Sequence, residues 1–188
     1  EKSKFHSNKH DPDLLKIVNS ANVACGFHAG DEETMNMVVQ ISKKNGVSIG
    51  AHPSFNDPDN FGRKRINLSA LEIRKLIIDQ YEILQRIAVK NSLTVSHIKP
   101  HGALNNMACE DIELATILAK AIKEIDKDLI YLVPTGSKME VSAKKLNMKI
   151  ACEIFADRNY EDDGNLVSRK KENALITDPN LAKKHVLS

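Results

Sequence analysis

Two imidazoles and an ammonium are gathered in nine residues, Ser96-His97-Ile98-Lys99-Pro100-His101-Gly102-Ala103-Leu104. Imidazoles move protons near neutrality and an ammonium steadies negative charge, so these groups suit acid–base work on a polar bond. The alternation Leu93, Val95, His97, Lys99 predicts a strand with these four side chains on one face, apolar first and polar last. Pro100 has no N–H for a ladder, so the strand is expected to end there and present His97, Lys99 and His101 at its carboxyl end.

Comparable residues follow three other predicted strands. His28 and Asp31 lie in Gly26-Phe27-His28-Ala29-Gly30-Asp31, His52 in Ala51-His52-Pro53, and Asp157 and Arg158 in Phe155-Ala156-Asp157-Arg158. A lone histidine is more often structural than catalytic, but in a parallel α/β fold the loops after the strands share the ligand-binding face. That convergence makes His28, Asp31, His52, His97, Lys99, His101 and Asp157 candidates for one cleft that transfers protons and activates water. A divalent metal, zinc or manganese, is the alternative use of these imidazoles and carboxylates. Spacing does not decide it, because Pro100 interrupts any helix placing His97 and His101 on one face. His6, His10 and His185 are read as surface residues. The runs Arg63-Lys64-Arg65 and Arg169-Lys170-Lys171 are read as solvated loop charges rather than phosphate contacts.

The elements that must position these groups alternate between strand and helix. A short helix at Asp11-Pro12 precedes a strand from Ala21 to Phe27. A helix capped by Asp31 and closed by Gly46 follows, then a strand at Val47–Ala51. The capping box Ser69-x-x-Glu72 opens a helix with the core stripe Ile73, Leu76, Ile77, Leu84 and Ile87. After the His97 strand come a helix from Asp111 to Ile125, a strand at Leu129–Val133 and a helix opened by a second box, Ser137-x-x-Glu140. A strand at Lys149–Phe155 and a short helix from Thr177-Asp178-Pro179 complete the order. This rhythm predicts a parallel α/β sheet, open or closed as a barrel, in a single domain over residues 1–188.

With 27 basic and 25 acidic residues, the charge of +2 argues for neither a nucleic-acid nor a membrane partner. No apolar run approaches the roughly 18 residues of a membrane span, and Glu1-Lys2-Ser3-Lys4 does not read as a signal peptide. Cys25, Cys109 and Cys152 are odd in number and lack C-x-x-C spacing, which fits a reducing cytoplasmic setting, with Cys25 a buried small hydrophobe. No G-x-x-x-x-G-K-S/T loop is present, and Pro134-Thr135-Gly136-Ser137-Lys138 reads as a loop with a serine cap.

Five motifs together resemble the LamB/YcsF family: Ser20-Ala21-Asn22-Val23-Ala24-Cys25-Gly26-Phe27-His28-Ala29-Gly30-Asp31, Gly50-Ala51-His52-Pro53, Phe61-Gly62-Arg63, Lys99-Pro100-His101-Gly102-Ala103-Leu104 and Phe155-Ala156-Asp157-Arg158-x-Tyr160. The resemblance implies a barrel-like α/β fold related to polysaccharide deacetylases. It also implies ATP-dependent opening of the 5-oxoproline lactam to L-glutamate, with ATP used by partner subunits B and C. On that basis His101 or His52 would act as the base, oriented by Asp31 or Asp157, with Lys99 and Arg158 steadying oxyanion and phosphate charge. The other readings are a metal-dependent deacetylase-like hydrolase of another small amide and a non-catalytic scaffold. A homo-oligomer is left open.

Family members open with a strand of pattern Asp-x-Asn-x-Asp-x-Gly-Glu, of which only Glu1 could be a remnant. The expectation is therefore an incomplete barrel, short at both ends, with an exposed sheet edge. Asn105 stands where the family commonly has Tyr.

Overall fold

The computed structural model describes residues 11–187. Glu1, His6 and His10 lie outside the described residues. A four-residue helix, α1 (Asp11–Leu14), leads into strand β1 (Ser20–Ala24), helix α2 (Glu32–Asn45) and strand β2 (Ser48–His52). Helix α3 (Ala70–Lys90), strand β3 (Val95–Ile98), and helices α4 (Gly102–Glu110) and α5 (Ile112–Ile125) follow. Strand β4 (Ile130–Pro134), helix α6 (Lys138–Lys145), strand β5 (Ile150–Glu153) and helix α7 (Pro179–Leu187) complete the order.

The five strands are all parallel and lie in sequence order, β1 to β5. Crossovers of one hand that always step to the next strand keep their helices on one face, the winding of a TIM-like barrel. Accordingly α2 packs on α3, α3 on α5 and α5 on α6. The expected parallel α/β, barrel-like class is therefore the observed one.

Local sequence explains the framework. Asp31 caps α2 through Thr34 N (2.7 Å), and Ser69 and Glu72 form the reciprocal box that opens α3. The α3 stripe Ile73, Leu76, Ile77, Leu84 and Ile87 is buried as its spacing predicts. Ser137 accepts from Glu140 N as expected, but the Glu140 carboxylate turns to Gly136 N, so the second box is only half made.

Two local features depart from the expected pattern. Nine residues to which the sequence pattern assigned no element form α4, and Asp111 at its end then caps α5 through Glu113 N and Leu114 N. In β3, Val95 pairs with Ile49 but His97 pairs with Gly50, so Ser96 is an extra residue that bulges out of the ladder. The four-residue face from Leu93 to Lys99 is thus broken. Val95 stays level with buried Ile49 in the core, whereas His97 moves to the opposite side of the sheet with Gly50. The Ser96 hydroxyl donates to Ile49 O (3.0 Å), tying the bulged residue back to β2.

Candidate active site

The bulge sets the first layer of the site. Asn22, Gly50 and His97 are level across β1, β2 and β3, and His97 Nε2 lies 3.2 Å from Asn22 Oδ1. The ring crosses directly over Gly50, where a Cβ would stand 2.1 Å from it, so this position must lack a side chain. Burial, then the charge of Lys99, lowers the pKa of His97.

One step nearer the carboxyl ends, His28, His52 and His101 form a cluster. His28 stacks on His101 with centroids 4.2 Å apart and 15° between planes, while His52 meets His101 edge-on at 4.8 Å. His52 Nδ1 donates to Lys99 O (2.6 Å), His101 Nε2 donates to Phe61 O (3.0 Å), and His101 Nδ1 lies 3.0 Å from His52 Nε2. Carbonyl oxygens only accept, so a chain of three hydrogen bonds between them requires three N–H groups on the two rings. Two neutral imidazoles supply two, so closing all three contacts as hydrogen bonds takes one further proton. His52 itself is held far below the ordinary imidazole range by burial, then by charge on His101 and on Lys99. His28, buried and flat against His101, is pushed down to about 3 by burial and then by the His101 charge.

Carbonyls rather than carboxylates therefore orient this pair, which corrects the roles expected of Asp31 and Asp157. Asp31 gives an oxygen to the α2 cap, and Asp157 is exposed, its backbone carbonyl accepting from Ile176 N. The loop carrying Phe61 O is itself fixed. Gln80 of α3 clasps Ser54 through both its backbone N and O, and the Asp57 side chain accepts from Asn60 Nδ2 and Lys64 N. Gly102 at the start of α4 has φ +59°, and a Cβ there would lie 2.4 Å from Gly62 O.

Lys99 projects toward β5, where Nζ donates to Glu153 (2.8 Å) and sits 4.5 Å from the centre of the Phe155 ring. Glu153 is a site residue that the sequence reading missed; its signal was a lone acid at the end of an otherwise apolar strand. Arg158 is buried, with Nε donating to Ala174 O (3.1 Å) and Nη2 to Val167 O (2.6 Å), so two of its five N–H donors hold the segment after β5. Its expected role as a purely charge-binding residue is thereby narrowed.

A cavity of about 490 Å³ opens against this wall, lined by His52, Lys99, His101, Phe155 and Arg158 among others. That volume suits a small-molecule ligand. His28, Asp31, His97 and Asp157 do not line it. Arg63, Arg65, Arg169 and Lys170 do, so the two basic runs are cavity groups and not only solvated charges. Cys109 also lines it, but burial raises its thiol to about 12, and Cys25 is raised likewise, so neither is a ready nucleophile. The His52 and His101 nitrogens face each other and carbonyls, an arrangement that does not fit zinc or manganese. Among the described residues no group of three or more His, Cys, Asp or Glu side chains is placed to hold a metal.

A parallel, sequentially wound sheet with titratable groups gathered at the carboxyl ends of its strands defines a TIM-like α/β protein with a small-molecule site. The model of the LamB/YcsF family matches residues 1–188, and the chain belongs to that family.

Its relatives include the 5-oxoprolinase A subunit of Rhodopseudomonas palustris, 46% identical over 178 residues, covering 94% of this chain and 70% of the relative. The corresponding protein of Natranaerobius thermophilus, with the same name, is 46% identical over 168 residues, covering 89% of this chain and 65% of the relative. That of Staphylococcus aureus strain JH9 is 45% identical over 177 residues, covering 94% and 71%. The chain thus spans roughly two thirds of these relatives' length. The crystal structure of the lactam utilization protein of Thermus thermophilus superposes with a TM-score of 0.89 at 36% identity, over 98% of this chain and 74% of that one. No helix among the described residues is long and apolar enough to cross a membrane.

Proposed function

We propose that this chain is a subunit of an ATP-dependent 5-oxoprolinase, and that its cavity is where the lactam ring of 5-oxoproline is opened to L-glutamate. The names of the relatives support the substrate. The observation that carries the reading is the meeting of the His52–His101 pair and Lys99 on one cavity wall.

A lactam carbonyl is a poor electrophile. Phosphorylation of its oxygen, with ATP handled on partner subunits B and C, prepares the ring carbon for water. Water adds to that carbon and the C–N bond breaks, leaving an acyl phosphate; a second water then displaces inorganic phosphate and leaves the carboxylate of glutamate. The histidine pair gives a proton to the departing nitrogen and recovers one from the attacking water, ending as it began. Lys99, held by Glu153, and the uncommitted edge of Arg158 steady the negative charge that grows on oxygen.

The test is glutamate release from 5-oxoproline and ATP, measured with subunits B and C in the presence and absence of this chain. Dependence on the chain is expected. Equal release without it overturns the reading, and chelator-sensitive release without ATP replaces it with a metal-dependent amidase.

A further inference from the structure

Three guanidiniums line the cavity with no carboxylate paired to any of them. Arg63 comes from the loop after β2, and Arg158 and Arg169 from the segment after β5. Elsewhere arginines are neutralised: Arg65 by Glu110, Arg74 by Glu124 and Arg86 by Glu32. Among the described residues, no ion pair involves Arg63, Arg158 or Arg169.

The three also feel one another. Beyond desolvation, the charge of Arg169 lowers the pKa of both Arg63 and Arg158; at Arg158, Asp157 and Tyr160 partly offset this and Arg63 adds a smaller lowering. Folding therefore gathers like charges that water would have kept apart, and it fixes them there. The Arg158 plane is locked by the Ala174 and Val167 carbonyls, and the Arg63 guanidinium stands 5.1 Å over the Phe61 ring. Arg169 is exposed in a turn that closes through Lys171 N and Ser168 O, with Lys170 beside it on the cavity. The arrangement is a buried, oriented guanidinium with two exposed ones at the rim.

We propose that Arg63, Arg158 and Arg169 form a phosphoryl-group site, which takes the phosphate of the activated ring as it reaches the cavity. The inference rests on the proposed function for the identity of the phosphate's owner. Guanidinium forks match phosphate oxygens through paired N–H donors, and three of them suit a tetrahedral dianion better than the single charge of a carboxylate. The site also explains why the segment after β5 folds back over the carboxyl face, since Arg158 and Arg169 bring its charge to the loop carrying Arg63.

Inorganic phosphate titrated calorimetrically into the whole chain tests it, with Arg63→Gln and Arg169→Gln chosen because both residues are exposed. Saturable binding is expected, weakened at least tenfold in the double variant and displaced poorly by acetate at equal ionic strength. Absent binding, unchanged affinity in the double variant, or displacement by acetate as readily as by phosphate would each overturn the site. If phosphate fails to bind while glutamate release still requires the chain, the phosphoryl site falls and the proposed function stands. If phosphate binds as expected while glutamate release does not require the chain, the proposed function falls and the anion site stands.

Discussion

His101 Nδ1 faces His52 Nε2 at 3.0 Å, while the outer nitrogen of each ring donates to a backbone carbonyl. The pair is closed at both ends by acceptors, so its proton count follows from geometry. Imidazole ¹⁵N spectra at pH 7 are expected to show three protonated nitrogens across the two rings. A second unprotonated nitrogen would mean that one of the three contacts is not a hydrogen bond.

Replacing His101 by Ala removes two of the three links of this chain at once. Coupled glutamate release is expected to fall about 10²-fold or more, the usual scale for losing a proton-transfer group. Assembly with subunits B and C, read by size-exclusion chromatography, should persist. Normal turnover would remove His101 from the mechanism.

His28 makes stability depend on acid. Its folded-state pKa is depressed from 6.5 to about 3, so between those values the unfolded chain binds the extra proton and the folded one resists it. The stabilisation is complete above 6.5 and declines as pH falls toward 3. Between pH 7 and pH 5 the loss from this residue is roughly 2 kcal/mol. Urea unfolding of His28→Leu should show an acid limb shallower by about that amount; an unaltered limb would exonerate His28.

Gly102→Ala places a methyl against the Gly62 carbonyl at a backbone angle that L residues seldom adopt. A loss of about 2–3 kcal/mol is expected from clash and strain together. Because Gly62 follows Phe61, the carbonyl that anchors His101 should shift as well, and activity at a temperature where the variant is folded should fall. Wild-type stability would show that the loop yields freely.

Lys99 enters the site twice, through its carbonyl to His52 and its ammonium to Glu153. Lys99→Met keeps the first contact and strands Glu153 in a half-buried position. A loss of about 2 kcal/mol is expected, less than for a fully buried pair because water still reaches both groups. The Lys99→Met, Glu153→Gln double variant should recover part of this stability but not activity. Recovered activity would reduce the ammonium to a structural role.

Much of the framework was legible because it is written in local chemistry. Asp31, Ser69 with Glu72, and the α3 stripe each announce an element through residues a few positions apart. The strand-end histidines were legible for the same reason. What escaped was helix α4, whose start has no side-chain cap. The bulge escaped because the apolar–polar alternation runs through it unchanged in the sequence. The anchors of the histidines escaped because they are main-chain oxygens, and every residue carries one. Aspartates looked better suited to that task than the carbonyls of Lys99 and Phe61.

Ser96 gives β3 two phases. Upstream of it, Val95 keeps the step that the helices require; downstream, His97 keeps the step that the site requires. A single inserted residue thus separates two selective pressures that a regular strand would bind together. Helix-facing positions can drift among apolar types without turning the imidazole, and the imidazole's surroundings can change without repacking the helices.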